Sequence, residues 1–152
     1  MLRIILDTNV LINGIQDEFS NTNKIIDLCI SGELQPLMSP PILKENKRLA
    51  KRLILDQDYL DKLDEFYNSC EMIHPRSRVR VVEDDPEDDK FFACAVDGEA
   101  DYIISEDHHL LDIDSYKGVK VKAPEEFLNL EAAASGSGGE WRDWVKSIGI
   151  GA

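Results

Sequence analysis

The sequence has few cysteines, no long apolar run and a shortage of positive charge, and each shortage excludes a class of protein. Its 152 residues contain three cysteines, Cys29, Cys70 and Cys94, with no CxxC pair. This odd number and wide spacing argue against a secreted disulfide framework and against a zinc ribbon, and they predict a reducing, cytoplasmic setting. The first apolar run stops at Asp7, and no stretch approaches the roughly 20 apolar residues of a membrane span. We therefore expect neither a signal peptide nor a membrane anchor.

The charge balance is strongly acidic. Lys and Arg number 17 against 30 Asp and Glu, which gives a formal net charge of −13. Because phosphate binding rests on Lys and Arg, this balance argues against a protein that coats DNA or RNA generally. Clustered carboxylates instead favour a site for cations. A chain of this length buries roughly 70% of its unfolded surface, so its core needs neither disulfides nor a structural metal.

Short aliphatic runs alternate with segments of helical periodicity. The predicted strands are 2–6, 34–38, 70–73, 101–105 and 119–121. The predicted helices are 22–30, a segment opened by Ser39-Pro40-Pro41, 58–69, 85–97 and 124–130. This alternation is typical of an α/β domain with a parallel sheet, right-handed crossovers and helices on both faces. Asp7-Thr8-Asn9, directly after the first strand, has the character of a polar loop.

Residues 132–152 differ in composition from the rest of the chain. Ala132–Gly139 consists of Ala, Ser and Gly and is typical of a flexible linker, and both tryptophans lie beyond it. We predict a domain at 1–131 followed by a linker and an appended peptide. The alternative is an amphipathic helix that docks into a groove, because four apolar residues recur at helical spacing: Trp141, Trp144, Val145 and Ile148.

Acidic residues follow two of the predicted strands and begin one of the predicted helices. Asp7 ends the first strand, and Asp107 lies two residues beyond Ser105. If these strands are neighbours, their carboxyl ends face the same crevice. In the acidic run Glu83–Asp89, a turn of about 100° per residue puts Asp88 near the centre of the buried helix face and Asp89 at its margin. A carboxylate that points inward is costly unless it is paired or bound to metal.

A simpler interpretation of the acidic run is a first helical turn that complements the helix dipole, with Asp85 as N-cap. It explains Asp89 well and Asp88 less well. Glu45, on the helix after Pro41, borders the apolar stripe rather than facing solvent. Glu45 is therefore a fourth acidic candidate.

Two basic clusters stand out in this acidic chain. One lies on the helix that carries Glu45 and the other in the segment before the acidic run: Lys44, Lys47, Arg48, Lys51 and Arg52, and Arg76, Arg78 and Arg80. They are either solvated surface charges or phosphate contacts that flank an acidic pocket. The second interpretation fits a nuclease in which carboxylates hold Mg²⁺ or Mn²⁺.

Nuclease chemistry explains the need for several carboxylates. Like charges in one pocket raise one another's pKa, and a divalent cation keeps them ionised together. Two such ions activate a water and neutralise the leaving oxygen of a phosphodiester without a covalent intermediate. The chain contains no GxSxG elbow, no Walker-type phosphate loop and no GxGxxG fingerprint. Its histidines also lack a zinc spacing.

Four segments in order resemble the successive motifs of a PIN domain, most closely the bacterial PIN-family toxin components of toxin–antitoxin pairs. They are Leu6-Asp7-Thr8-Asn9-Val10-Leu11, Ser39-Pro40 followed by Glu45, Asp85-Pro86-Glu87-Asp88-Asp89-Lys90-Phe91, and Ala100-Asp101-Tyr102-Ile103-Ile104-Ser105-Glu106-Asp107 with Leu110-Leu111. The resemblance runs from Leu2 to about Leu130. It implies a three-layer α/β/α fold around a five-stranded parallel sheet. It also implies a Mg²⁺- or Mn²⁺-dependent ribonuclease, a homodimer, and inhibition by a cognate antitoxin protein.

The resemblance also assigns roles to individual residues. The metal-binding and catalytic acids, named here the acid quartet, are Asp7, Glu45, Asp88 and Asp107. The supporting residues are Thr8, Asn9, Ser105, Asp85 and Asp89. Ser105 stands where many members have Thr, Glu106 where Gly is common, and Asp89 where Asn is frequent. The last departure leaves open which of Asp88 and Asp89 reaches the metal.

Two other interpretations compete with the nuclease. One is a catalytically silent PIN-like module that binds RNA or protein, against which the presence of all four acids argues. The other is a Mg²⁺-binding phosphoacceptor receiver domain, suggested by Lys122-Ala123-Pro124 after the last strand. A receiver needs an aspartate at the end of its third strand, and the corresponding span 48–59 is basic and helical in character.

Overall fold

A central sheet with helices on both faces forms the fold in a computed structural model that describes residues 1–134. The strands are β1 (Arg3–Leu6), β2 (Gln35–Met38), β3 (Glu71–Met72), β4 (Tyr102–Ile104), β5 (Ser115–Tyr116) and β6 (Val119–Lys122). The helices are α1 (Thr8–Asn13), α2 (Asn21–Ile30), α3 (Pro40–Leu53), α4 (Gln57–Ser69), α5 (Asp89–Asp97), α6 (His108–Leu111) and α7 (Pro124–Ala134). The α/β prediction is confirmed.

The strand order β3-β2-β1-β4-β6-β5 places β1 and β4 side by side at the centre of the sheet. Leu6 pairs with Ile104, so the two strands end level with each other. Ile4, Ile5, Ile103 and Ile104 are completely buried, which is typical of parallel strands covered on both faces. The residues that follow these two strands therefore emerge next to each other.

The sheet has one strand more than predicted. The five predicted strands are parallel, and β5 adds a short antiparallel pairing to β6 at the edge. The turn between β5 and β6 contains Lys117 at φ 47° and Gly118 at φ 83°. Positive φ at both central residues matches the twist of a tight hairpin. This Lys-Gly pair is the sequence signal that the periodicity analysis missed.

The segment after β1 is the helix α1, not the predicted polar loop. The Asp7 side chain caps it by accepting a hydrogen bond from the Asn9 backbone N–H at 3.3 Å. Six residues are too few to show a helical period, and the helix depends on packing: Val10 and Leu11 are completely buried, and α1 contacts α3. Tertiary burial thus forms a helix where local propensity is weak.

The acidic run begins with a 3-10 turn rather than with the single helix predicted for 85–97. The turn covers Pro86–Asp88, and α5 follows it. Pro86 occupies the first helical position, and the Asp85 side chain accepts from the Glu87 N–H at 3.2 Å, as the capping interpretation predicts. Tight 3-10 turns are frequent at helix N-termini.

The last described helix, α7, continues to Ala134, four residues past its predicted end and into the predicted linker. The remainder of the predicted linker and the tail with Trp141 and Trp144 lie outside the described residues. Within residues 1–134, no helix is long and apolar enough to cross a membrane.

Candidate active site

Asp7 and Asp107 meet at the carboxyl ends of the two central strands, where Ser105 connects them. The Asp7 N–H donates to the Ile104 carbonyl at 2.9 Å, which fixes the start of the loop against β4. The Ser105 hydroxyl donates to Asp7 Oδ2 at 2.8 Å and accepts from the Asp107 N–H at 3.0 Å. Ser105 is fully buried, so this bridge is shielded from water. Adjacent parallel strands thus bring together two of the predicted acids.

Asp7 is buried, with 4% of its surface exposed. Burial raises the pKa of its carboxyl group because water no longer stabilises the charge. Hydrogen bonds from Ser105 and from the Asn9 backbone lower this pKa, whereas the charges of Asp107 and Glu45 raise it. Asn9 thus acts on Asp7 through its backbone, and its side chain is exposed.

Glu45 enters the site from α3 and is held on both of its carboxylate oxygens. Thr8 donates its hydroxyl to Oε2 at 2.5 Å, and the Lys90 ammonium lies 3.0 Å from Oε1. Asn46 lies behind Thr8 and donates to the Thr8 hydroxyl at 2.7 Å and to the Ile42 carbonyl at 2.9 Å. Thr8, predicted to be a supporting residue, thus contacts a member of the acid quartet directly.

Asp88 has a strongly raised pKa, to which both burial and neighbouring charges contribute. Its pKa is raised to about 7, first by partial burial and then by the charges of Asp7, Asp85 and Asp107, while Lys90 opposes the rise. Asp107, half-buried, caps α6 by accepting from the His109 N–H at 2.9 Å. Asp88 and Asp107 therefore both lie within electrostatic reach of the same pocket.

Asp89 points to a different partner from its neighbour Asp88. Its Oδ1 accepts hydrogen bonds from the backbone N–H groups of Val81 and Val82 at 2.9 and 2.8 Å. It therefore ties a loop to the start of α5, whereas Asp88 interacts with the other acids. Asp85, which is exposed, contributes its charge to the same pocket.

Asn46 and Lys90 are two parts of the site that the sequence analysis did not single out. Asn46 is 1% exposed and lies four residues after Ile42 on the buried stripe of α3, so a polar residue at a core position was the available signal. Lys90 belongs to the quoted motif but was given no role. Its proximity to Glu45 depends on how α3 and α5 pack, which spacing along the chain does not show.

The second basic cluster lies on an extended segment that two aspartates of α5 fix in place. We name residues 76–82 the basic strap. The N–H groups of Arg76 and Ser77 donate to Asp97 at 2.5 and 2.8 Å, at the end of α5, and Asp89 binds the opposite end of the strap. Bonds from Ser77 and Arg76 hold the pKa of Asp97 below its usual range. The exposed side chains of Arg76, Arg78 and Arg80 are carried on this strap.

A groove of about 810 Å³ lies between the basic strap and α5. Its apolar lining comes from Val79, Val82, Pro86 and Ala93. Its charged lining consists of three cations, Arg78, Arg80 and Lys90, and two acids, Glu83 and Asp89. Lys90 also contacts Glu45, so one end of this groove adjoins the acids. The first basic cluster, on α3, is exposed and consists of Lys44, Lys47, Arg48 and Lys51, with Arg52 beside them.

The acids fit a divalent cation in their chemistry. The donors are carboxylate oxygens, which hard cations such as Mg²⁺ and Mn²⁺ prefer. Burial is the main cause of the raised pKa of Asp88, and the negative charges of Asp7, Asp85 and Asp107 add to it; a bound cation would offset those charges. No three His, Cys, Asp or Glu side chains of residues 1–134 already converge at ligating distance from one point. The side chains therefore need to adjust around an ion.

Comparisons with known proteins extend these observations. A family model described as PIN domain matches residues 3–109. An uncharacterized protein of Methanocaldococcus jannaschii is 29% identical over 141 residues, which cover 84% of this chain and 90% of that protein. No solved structure matches the chain significantly. The span matched by the family model contains all four residues of the acid quartet.

Proposed function

The chain belongs to the PIN-domain family, whose members are typically nucleases, and from that premise we propose that it is a metal-dependent endoribonuclease. The observation that carries the proposal is the Ser105 bridge that joins Asp7 to Asp107 at the carboxyl ends of β1 and β4, with Glu45 and Asp88 within electrostatic reach of them. Burial raises the pKa of Asp88 and of Asp7, and nearby carboxylates add to both shifts: Asp7 and Asp107 act on Asp88, and Glu45 acts on Asp7. Such a concentration of carboxylates is costly unless it serves a cation.

In this proposal the acid quartet holds Mg²⁺ or Mn²⁺, which when bound supplies a nucleophilic water at neutral pH and neutralises the leaving oxygen. Ser105 orients the Asp7 carboxylate and also fixes the Asp107 backbone. Thr8, supported by Asn46, orients Glu45. These buried neighbours hold two of the acids in defined rotamers before any substrate arrives, which is the arrangement that catalysis favours.

The substrate in this proposal is single-stranded RNA, held by the two basic clusters. The basic strap carries its arginines beside a groove that ends at Lys90, next to the acids. An apolar lining suits unstacked bases, while guanidinium groups suit phosphates. Because the rest of the chain is strongly acidic, phosphate contacts concentrated in these clusters direct the strand toward the pocket.

The receiver alternative is wrong on sheet order as well as on family. In receivers the first strand lies between the second and third strands. Here β1 lies between β2 and β4, and β3 forms the edge beyond β2. No aspartate follows β3, which ends at Met72 and continues into Ile73-His74.

The resemblance to toxin components extends the proposal to partners. We propose a cytoplasmic homodimer whose nuclease activity is inhibited by a cognate antitoxin protein. Size-exclusion chromatography with light scattering tests the dimer, and expression in cells with and without the gene that neighbours this one tests the inhibitor. A monomer, or growth that is unaffected by expression, contradicts the respective part of this extension.

Cleavage of a mixed single-stranded RNA tests the proposed activity. The purified chain is incubated with Mg²⁺, with Mn²⁺ or with EDTA, beside Asp7→Asn and the control Asp64→Asn, which changes an exposed aspartate of α4. We expect cleavage with either metal, none with EDTA, none by Asp7→Asn and full cleavage by the control. Binding of RNA without cleavage under every condition favours the silent module instead.

A further inference from the structure

Lys90, in the first turn of α5 just after Asp88, lies where α5 approaches α3, the helix that carries Glu45. Its Nζ is 3.0 Å from Glu45 Oε1 and 3.0 Å from the Glu87 carbonyl oxygen. The side chains of Lys90 and Glu45 are only 14% and 21% exposed. This pairing is shielded from water, unlike the exposed surface pairs that contribute little.

The ammonium of Lys90 lies among acids rather than on the surface. Its charge lowers the pKa of Asp88, whereas the charges of Asp7, Asp85 and Asp107 raise it. Within residues 1–134, no other Lys or Arg side chain forms an ion pair with a member of the acid quartet. Lys90 thus supplies positive charge that a divalent cation would otherwise supply.

Glu45 is fully engaged by this arrangement. Thr8 donates to one carboxylate oxygen and Lys90 to the other, both within hydrogen-bond distance. A carboxylate held in this way by α1 on one oxygen and by α5 on the other is ordered.

We propose that Lys90 is a positioning residue that serves as the resident counter-cation of the acid quartet. Its ammonium neutralises and orders Glu45 while no divalent cation is bound, and it opposes the binding of that cation by electrostatic repulsion. The proposal rests on the proposed function only for the identity of the site. It predicts that Lys90 lowers metal affinity in exchange for an ordered site in the metal-free protein.

Direct measurement of Mn²⁺ binding tests this role without RNA or catalysis. The dissociation constant is measured by calorimetry at fixed ionic strength for the wild type, Lys90→Met and Lys90→Arg. Lys62→Met is the matched control, because Lys62 is also shielded, at 25% exposed, and lies 2.7 Å from the Asp27 carboxylate on α2. We expect Lys90→Met to bind Mn²⁺ about tenfold more tightly, since one nearby positive charge is lost. Lys90→Arg and Lys62→Met should stay within about twofold of the wild type.

Stability in EDTA provides a second measurement. Lys90→Met should unfold at a lower urea concentration than Lys90→Arg in EDTA, and Mn²⁺ should remove this difference by restoring the stability of Lys90→Met, because an ion then replaces the missing charge. Lys62→Met should show no such recovery. A change in folding alone does not produce this dependence on both charge and metal.

Each outcome decides the proposal. Tighter Mn²⁺ binding by Lys90→Met supports it even if no RNA is cleaved, in which case only the proposed function fails. Unchanged or weaker binding by Lys90→Met overturns it, even if the wild type is an active nuclease. If neither the wild type nor any variant binds Mn²⁺, both proposals are contradicted: the role of Lys90 as a counter-cation and the metal-dependent nuclease.

Discussion

At the scale of single residues, Asp88 shows how burial, with help from neighbouring carboxylates, makes the stability of the fold depend on pH. Its pKa of about 7 lies above the ordinary value of 3.8 for an aspartate. The folded state therefore keeps a proton that the unfolded chain has already released. The stability that this proton contributes is fully present below pH 3.8 and is lost as the pH rises through about 7.

The variant Asp88→Asn removes this pH dependence. Without divalent cations, the wild type should lose about 1 kcal/mol relative to the variant between pH 5 and pH 8, after allowance for solvent screening of a half-exposed group. Urea unfolding in EDTA at the two pH values measures the difference. The control Asp64→Asn, at an exposed site, should show the same change in the free energy of unfolding with pH as the wild type. If Asp88→Asn also showed this change, Asp88 would have an ordinary pKa.

The sequence predicted the acidic residues of the candidate site better than it predicted the residues that contact them. Asp7 and Asp107 were predictable because each follows a strand, and parallel strands end at one edge. Asp88 was predictable from the helical face, although a 3-10 turn replaces the first turn assumed there. The links from Lys90 to Glu45 and from Asn46 to Thr8 connect residues 45 and 38 positions apart, so they depend on tertiary packing.

At the scale of secondary-structure elements, the basic strap depends on the two ends of one helix. Asp97→Ala removes the acceptor of the Arg76 and Ser77 N–H groups. Trypsin should then cut after the strap arginines faster, because the segment opens locally without global unfolding. RNA binding should weaken while the Mn²⁺ dissociation constant stays unchanged. The control Asp64→Ala should match the wild type in both assays, and unchanged proteolysis of Asp97→Ala would mean that the strap does not need this anchor.

The helix α3 contributes the other basic cluster. Lys47→Ala combined with Arg48→Ala should weaken RNA binding uniformly across sequences, because these residues contact phosphates in our proposal. The slope of log K against log salt should fall by about 1.4, which is two phosphate contacts on a single strand. Fluorescence anisotropy at several salt concentrations measures this slope. An unchanged slope would show that Lys47 and Arg48 are solvated surface charges that do not contact phosphates.

Element boundaries were predictable where a local signal exists. The Ser39-Pro40-Pro41 start of α3 and the glycine after α5 both act locally, and these helix ends agree closely with the prediction. The helix α1 was missed because its stability comes from burial of Val10 and Leu11 against other elements. Such tertiary contacts cannot be predicted from a segment of six residues.

At the scale of the whole molecule, the proposed site makes a divalent cation a stabilising ligand of a chain whose net charge is −13. At 100 times its dissociation constant, Mn²⁺ should stabilise the fold by about 2.7 kcal/mol. Thermal unfolding with and without Mn²⁺ measures this gain, and EDTA should reverse it. Asp7→Asn should gain less than the wild type. An equal gain from NaCl at matched ionic strength would show general charge screening instead of a site.

The pairing of β1 with β4 has a consequence for the order in which the protein is made. Synthesis proceeds from the N-terminus, so a ribosome displays Asp7, Glu45 and Asp88 before Ser105 and Asp107 have been added. Until β4 emerges, β1 lacks its central neighbour, and Asp7 lacks the hydroxyl that orients it, 98 positions away. The acid quartet is therefore incomplete on the nascent chain, and Asp7 gains the partner that orients its carboxylate only after the segment carrying Ser105 and Asp107 has been made.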